Sequence, residues 1–110
     1  MLAEKYETII RRNITTTRMR DLYDLCTLYK LKKDQIDYEI LREAIERTSN
    51  KRGSQEMMKD YEEIIENIKE DPYLRSLWEV YLSENKYIVD LTFDKVVDEV
   101  TIISNRINEM

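Results

Sequence analysis

Histidine is absent from this chain of 110 residues. Its absence removes the commonest general base, the Ser–His and Cys–His nucleophile pairs and most zinc sites, so hydrolysis by those routes is excluded. The single glycine, Gly53, cannot build a glycine-rich phosphate loop. Any metal chemistry would therefore have to rest on carboxylates, which are the ligands that suit magnesium.

Tight chain reversals are also scarce, because glycine and proline occur once each, as Gly53 and Pro72. A β-sandwich or β-barrel needs many such turns. Charged residues make up 37% of the chain, and apolar residues recur at spacings of three and four. This pattern is typical of helices with solvated outer faces. The sequence predicts one all-α domain over residues 1–110, a compact bundle of five to six helices.

Long hydrophobic runs are missing as well, since the longest are three residues, such as Val80–Leu82. A transmembrane helix needs about 20. Glu4 and Lys5 interrupt the position where a secretion signal would place its apolar stretch, so we expect no membrane contact and a cytoplasmic protein. Cys26 is the single cysteine. It can form no internal disulfide, and its apolar neighbours predict a buried small hydrophobic residue.

The formal net charge of −5 is unevenly divided along the chain. Residues 1–33 contain eight basic and four acidic side chains, whereas residues 34–110 contain ten basic and nineteen acidic ones. A basic first third that can meet phosphate is thus joined to an acidic body that repels it. The alternative is that both are ordinary solvated helix surfaces.

Capping residues divide the apolar pattern into helices. The periodicity predicts helices over residues 2–12, 18–31, 38–51, 54–70, 72–85 and from 93 to near the end. Thr17, Asp37, Asp71 and Thr92 are the predicted N-caps. Gly53 supplies the left-handed residue that ends the third helix, and Pro72 suits a first helical position.

Two aspartate pairs at a spacing of three could present neighbouring carboxylates, Asp21 with Asp24 and Asp34 with Asp37. Only the first pair has cationic neighbours, since Arg18 can reach Asp21 and Arg20 can reach Asp24. One interpretation is local ion pairing in an acidic first turn. The other is a polar site in which arginine holds a phosphate and aspartate orients a metal or an attacking hydroxyl.

Other charged and aromatic residues also allow either a structural or a functional interpretation. Lys5 is either a solvated lysine or part of a site. Trp78 and the eight tyrosines are typical of helix packing rather than base stacking, because most fall on apolar stripes. The acidic run from Asp60 to Glu66 is either a solvated face or a surface for a basic partner.

Several sequence blocks resemble a known family. The strongest are Leu2–Thr8 (LAEKYET), Thr17–Leu25 (TRMRDLYDL) and Lys51–Ser54 (KRGS), followed by Asp71-Pro72 and the Leu77–Glu79 region. In order and spacing they resemble the C-terminal region of the AbiEii/AbiGii nucleotidyltransferase toxins, which belong to abortive-infection, type IV toxin–antitoxin systems. The resemblance implies a role in phage defence and an antitoxin whose identity it does not give.

The resemblance also implies roles for particular residues. In that family an N-terminal domain of the polymerase-beta type binds magnesium and nucleoside triphosphate, and the helical half faces the same cleft. Carried over, Lys5 would contact triphosphate and take part in catalysis, and Asp21 would be the catalytic-motif residue. Arg18 and Arg20 would support phosphate or the wall of the site. Tyr23 and Asp24 would complete the catalytic motif, with Asp24 as a catalytic residue that orients a neighbour.

The chain departs from the family pattern in one respect, because no Asp-x-Asp triplet occurs in it to supply the metal-binding pair. It begins directly on the lysine helix. We therefore expect a C-terminal helical domain whose catalytic N-terminal domain is absent, as a fragment, truncated product or split subunit. Mg²⁺ and nucleoside triphosphate are expected only for the complete enzyme, no residue here is assigned to metal, and the chain alone is expected to be inactive.

Three kinds of partner follow from this interpretation. The first is the missing nucleotidyltransferase half or a partner subunit, and the second is an RNA or protein acceptor for the nucleotide. The third is a second copy of the chain or another protein, bound to apolar surface that the complete enzyme would bury. The alternative function is therefore a helical protein–protein interaction module or a homo-oligomer. A weak RNA-binding domain that uses the basic first third is a further alternative.

Overall fold

The computed structural model of the chain describes residues 2–12 and 18–108. Within these ranges it contains seven α-helices and one short 3₁₀ helix, and no strand. The helices are α1 (Leu2–Arg12), α2 (Met19–Lys32), α3 (Tyr38–Arg52), α4 (Gln55–Lys59), α5 (Tyr61–Glu70), α6 (Pro72–Glu84) and α7 (Phe93–Asn108), and the 3₁₀ helix is Lys33–Gln35. The predicted all-α class is confirmed, whereas the predicted number of helices was too low.

Most predicted helix ends are confirmed by local hydrogen bonds. The Asp37 carboxylate accepts from the backbone N–H groups of Glu39 and Ile40, and Asp71 accepts from that of Leu74. Thr92 Oγ1 accepts from the backbone N–H of Lys95 at 3.2 Å. Gly53 ends α3 with a φ of 70°, in the region that only glycine enters without strain.

The helix predicted over residues 54–70 is in fact two helices. Asp60 separates α4 from α5 with φ −92° and ψ 22°, and its N–H bonds to the carbonyl of Met57 rather than to that of Glu56. A bond to the third preceding residue tightens the last turn and ends the helix. No proline or glycine marks this break, so the prediction was wrong here.

The start of α2 also differs from the prediction. Arg18 is its N-cap residue, in an extended conformation and with no side-chain capping bond. Thr17, the predicted cap, lies outside the described residues. The helix also continues one residue past the predicted Leu31, to Lys32.

The core is built around α7, which packs against α2, α3, α5 and α6, while α1 packs against α2 and α3. Every residue of the predicted α7 stripe is buried: Phe93, Val96, Val97, Val100, Ile103 and Ile107. Trp78 is completely buried beside them, and its Nε1 donates to the carbonyl of Leu91 at 2.9 Å. Trp78 is thus a packing residue, as its position on an apolar stripe indicates.

Cys26 lies inside this core, as the sequence predicts. It is 2% exposed, and its Sγ is 3.7 Å from the carbonyl oxygen of Val96. Burial, with a smaller contribution from the charge of Glu99, raises the pKa of the Cys26 thiol to about 12. A thiol in this environment stays protonated and unreactive.

None of the helices in residues 2–12 and 18–108 combines the length and apolar composition that crossing a lipid bilayer requires.

Candidate functional site

The Lys5 side chain joins α1 to α2. Its Nζ lies 3.2 Å from Oδ2 of Asp24 and 3.5 Å from Oδ1 of Asp21. The exposed fractions of the three side chains are 33% for Lys5, 18% for Asp21 and 30% for Asp24. The ammonium group is therefore held between two carboxylates at the protein surface, where solvent can still reach it.

Lys5 and Asp21 face one open groove of about 200 Å³. Its walls come from α1, α2 and the last turn of α3. The lining residues are Glu4, Lys5, Thr8, Asp21 and Arg52. Two cations and two carboxylates thus meet at one groove.

Arg18 and Arg20, at the start of α2, are both exposed. Arg20 is 82% exposed, and its Nε is 3.8 Å from Oδ2 of Asp24, which is the predicted pairing at a spacing of four. Asp21 pairs with Lys5 rather than with Arg18 as predicted. Neither arginine is among the residues that line the groove.

Tyr23 does not line the Lys5 groove. Its ring centroid is 6.3 Å from that of Tyr81 and 6.2 Å from that of Tyr87. It lines a separate groove of about 380 Å³ between α2 and residues 87–91. The structure thus brings Lys5, Asp21 and Asp24 together and gives Tyr23 a packing position on another side of α2.

Glu7 is a buried charge beside the site that sequence reasoning gave no role. It is completely buried, and its carboxylate accepts three side-chain hydrogen bonds. Arg52 Nη1 donates to Oε1 at 2.6 Å, while Ser54 Oγ and Arg11 Nε donate to Oε2 at 2.7 and 3.0 Å. A buried carboxylate is stable only when it is paired in this way.

Two signals in the sequence point to Glu7 and Arg52. Glu7 is four residues after Ala3 and three before Ile10, so it lies on the buried side of α1 although it is charged. Arg52 belongs to the KRGS block at residues 51–54. Neither signal predicts that Glu7 and Arg52 contact each other, because the two residues are 45 positions apart in the sequence.

The groove presents both cationic and acidic side chains to a ligand. In the part of the chain that the structure describes, no three Asp, Glu, Cys or His side chains gather as a metal-ligand set. One carboxylate oxygen of Asp21 and one of Asp24 lie within 3.5 Å of the Lys5 ammonium. Lys5 and Arg52 present N–H donors to the groove, and such donors bind phosphate oxygens.

A comparison with protein families identifies the chain. The model of a family described as the nucleotidyl transferase AbiEii toxin of a type IV toxin–antitoxin system matches residues 1–99. This chain belongs to the AbiEii family. The match includes all of α1, α2 and α3, so the whole Lys5 groove of this AbiEii-family chain lies within it. No curated protein and no solved structure matches the chain significantly.

Membership of the AbiEii family gives the groove a chemical context. The family's toxins are nucleotidyl transferases, and their type IV systems imply an antitoxin as partner. Transfer of a nucleotidyl group requires that phosphate oxygens be held and their negative charge balanced.

Proposed function

We propose that this AbiEii-family chain forms one wall of a nucleoside triphosphate cleft, as the C-terminal helical part of a nucleotidyltransferase toxin. The observation that carries the proposal is the meeting of the Lys5 ammonium and the Asp21 carboxylate, from different helices, in one open groove. The two carboxylates hold the Lys5 ammonium at the groove, where a phosphate oxygen can replace one of them as its partner.

The geometry suggests a division of roles. Lys5 binds a phosphate oxygen, while Arg18 and Arg20 attract the triphosphate to this end of the bundle. Of the two carboxylates, Asp24 makes the shorter contact with Lys5, at 3.2 Å, and Asp21 the longer one, at 3.5 Å. When phosphate binds Lys5, Asp24 retains the ammonium in position. Asp21 is then released to orient the acceptor hydroxyl and take its proton.

The described residues of this chain offer no metal-ligand set, so we assign no metal role to any of them. In the complete enzyme Mg²⁺ would balance charge on the phosphates, with ligands from the polymerase-beta-type half, whether that half is joined to this chain or is a separate subunit. For the same reason we propose that residues 1–110 alone do not transfer nucleotides. The acceptor is an RNA or a protein.

Reconstitution tests this proposal. The chain is mixed with a nucleotide-binding half, Mg²⁺ and labelled nucleoside triphosphate, and transfer of label is measured. Lys5→Ala and Asp21→Ala should each reduce transfer at least about 100-fold, a size typical of lost transition-state contacts. Lys69→Ala is the matched control, because Lys69 pairs with Asp98 at 3.2 Å on another face of the bundle. Equal transfer by the wild type and both groove variants would contradict the assigned roles.

An interaction module is the second candidate function, and a specific surface favours it. Leu31, Tyr87 and Val89 are 74%, 68% and 77% exposed, and all three line the groove beside Tyr23. Contiguous exposed apolar side chains mark contact surfaces. On this proposal the chain associates through that groove with a second copy. Sedimentation of the pure chain would show a dimer that Val89→Asp converts to a monomer, and a monomer at every concentration would remove this candidate.

A further inference from the structure

The strongest unassigned feature of the molecule is the tether that holds Arg52 at the groove. Arg52 Nη1 donates to Oε1 of Glu7 at 2.6 Å and to Oγ1 of Thr8 at 3.1 Å. Both acceptors belong to α1, one turn or less from Lys5. The guanidinium is therefore fixed over α1 although Arg52 itself belongs to α3.

The chain around Arg52 is anchored at a second point. Gly53 turns the chain out of α3 in the left-handed conformation, and the Ser54 N–H returns to the carbonyl of Ser49 at 2.9 Å. The Ser54 hydroxyl then donates to Oε2 of the same Glu7. Glu7 thus holds both the Arg52 head group and the turn that follows it, which limits the loss of side-chain entropy when Arg52 binds a ligand.

The charge around Glu7 is not fully balanced. Two arginines, Arg11 and Arg52, pair with the one carboxylate, so the cluster carries a formal charge of +1. A guanidinium has five N–H donors in a fork, and the two bonds described above both come from Nη1. The side chain remains 36% exposed and lines the groove with Lys5. Its outer edge is thus available to an anion.

We propose that Arg52 is a further phosphate-binding residue of the Lys5 groove, and that buried Glu7 is the residue that positions it. The ligand class is a polyphosphate, either the triphosphate of a nucleotide or inorganic polyphosphate. The inference rests on the proposed function and deepens it, since it adds a second groove-lining cation from a different helix. Lys5 acts as a point charge, and Arg52 adds a fork that fixes the orientation of the phosphate chain.

Titration calorimetry of the whole chain at low salt tests the proposal, with sodium tripolyphosphate as the first probe and ATP as the second. Arg52→Gln should weaken binding of tripolyphosphate at least about tenfold, as expected for the loss of a charge-assisted contact. Arg52→Lys should recover only part of this loss, because lysine keeps the charge without the fork. If the ligand is a nucleotide, ATP should bind more tightly than tripolyphosphate, and Arg52→Gln should weaken both by a similar factor.

Arg11→Gln is the matched control. It also removes an arginine from Glu7, but Arg11 does not line the groove. Thermal unfolding of each variant confirms that binding is compared between folded proteins. If Arg52 only neutralised Glu7, Arg11→Gln and Arg52→Gln would lower the affinity for tripolyphosphate equally. That result would overturn the proposal.

The outcomes also separate this inference from the proposed function. If Lys5→Ala abolishes binding while Arg52→Gln leaves it unchanged, the proposal of a triphosphate-binding groove is retained and the proposed role of Arg52 is wrong. If wild-type protein binds neither probe, both proposals are wrong.

Discussion

The ammonium group of Lys5 lies 3.5 Å from a carboxylate oxygen of Asp21, although the two residues are 16 positions apart in the chain. The contact exists because α1 and α2 pack against each other, with Ile9 of α1 and Leu22 of α2 both buried in the core. Packing of the apolar faces thus determines which polar side chains meet on the outside. The chemistry proposed for the groove follows from that arrangement.

The Lys5 contacts should matter little for stability. All three side chains of the Lys5–Asp21–Asp24 cluster are partly exposed, and such ion pairs contribute about 0–1 kcal/mol. Lys5→Met should therefore lower the free energy of unfolding by less than about 1 kcal/mol, measured by urea denaturation. A loss above about 2 kcal/mol would mean that Lys5 is a structural residue, and reduced nucleotide transfer by its variants would then have a trivial cause.

Glu7 should behave in the opposite way. Glu7→Gln leaves Arg52 and Arg11 without their shared counter-charge at a completely buried position. Because the two arginines are 34% and 36% exposed and can be solvated, the loss of these charge-assisted hydrogen bonds should cost about 2 kcal/mol. The free energy of unfolding should fall by about that amount, whereas the exposed control Glu43→Gln should change it by less than about 0.5 kcal/mol. Equal stability of the two variants would contradict the tether.

Two buried tyrosines should respond differently to loss of the hydroxyl group. In the described residues Tyr6 Oη is buried without a partner at hydrogen-bonding geometry, although the side chains of Ser104 and Asn108 lie close to it. Tyr6→Phe removes an unsatisfied group and should be neutral or stabilising by up to about 1 kcal/mol.

Tyr29 provides the comparison, since its hydroxyl is 2.8 Å from that of Tyr38. Tyr29→Phe breaks this bond and should destabilise by about 1 kcal/mol. Chemical denaturation of the two variants side by side measures the difference. The prediction is wrong if Tyr6→Phe is the more destabilising change.

Stability should decline at alkaline pH. Burial raises the pKa of the Cys26 thiol from 9.0 to about 12 and the pKa values of Tyr6 and Tyr29 from 10.0 to about 12. In each case the folded protein keeps a proton that the unfolded chain has released. The stabilisation is therefore complete below pH about 9 and is lost as the pH rises toward 12.

Denaturation midpoints at pH 8, 9.5 and 10.5 check the sign of this effect. Cys26→Ala should make the decline between pH 9 and 10 shallower, because it removes the group that titrates first. A free energy of unfolding that stays constant from pH 8 to 10.5 would show that these groups are not buried in their protonated form.

The sequence predicts the helix ends best where the signal is local. Asp37, Gly53, Asp71 and Thr92 end or begin helices through contacts within a few residues, so their chemistry is visible in the sequence itself. The break at Asp60 has no such signal, because the apolar spacing of Met57, Tyr61 and Ile64 continues through it. The structure reveals this break only through the backbone angles and hydrogen bond of Asp60.

The site shows the same distinction. Spacing alone suggested that Arg18 pairs with Asp21, yet Lys5 takes that position from another helix. The Asp21–Asp24 pair was visible as a motif, and resemblance to the family supplied Lys5 as its neighbour. Glu7 looked like an ordinary helix residue because its partners, Arg52 and Ser54, are distant in sequence. Residue spacing predicts contacts within one helix, whereas the residues of this site come from three helices, α1, α2 and α3.

The central claim is that the groove between α1, α2 and α3 receives the phosphates of a nucleotide. Titration of ¹⁵N-labelled protein with ATP, followed by nuclear magnetic resonance, tests it most directly. The account predicts that the amide signals of Lys5, Thr8, Asp21 and Arg52 shift together with one dissociation constant, while those of Tyr73 and Val80 on the exposed side of α6 stay in place. Shifts confined to other helices, with the groove signals unchanged at saturating ATP, would contradict it.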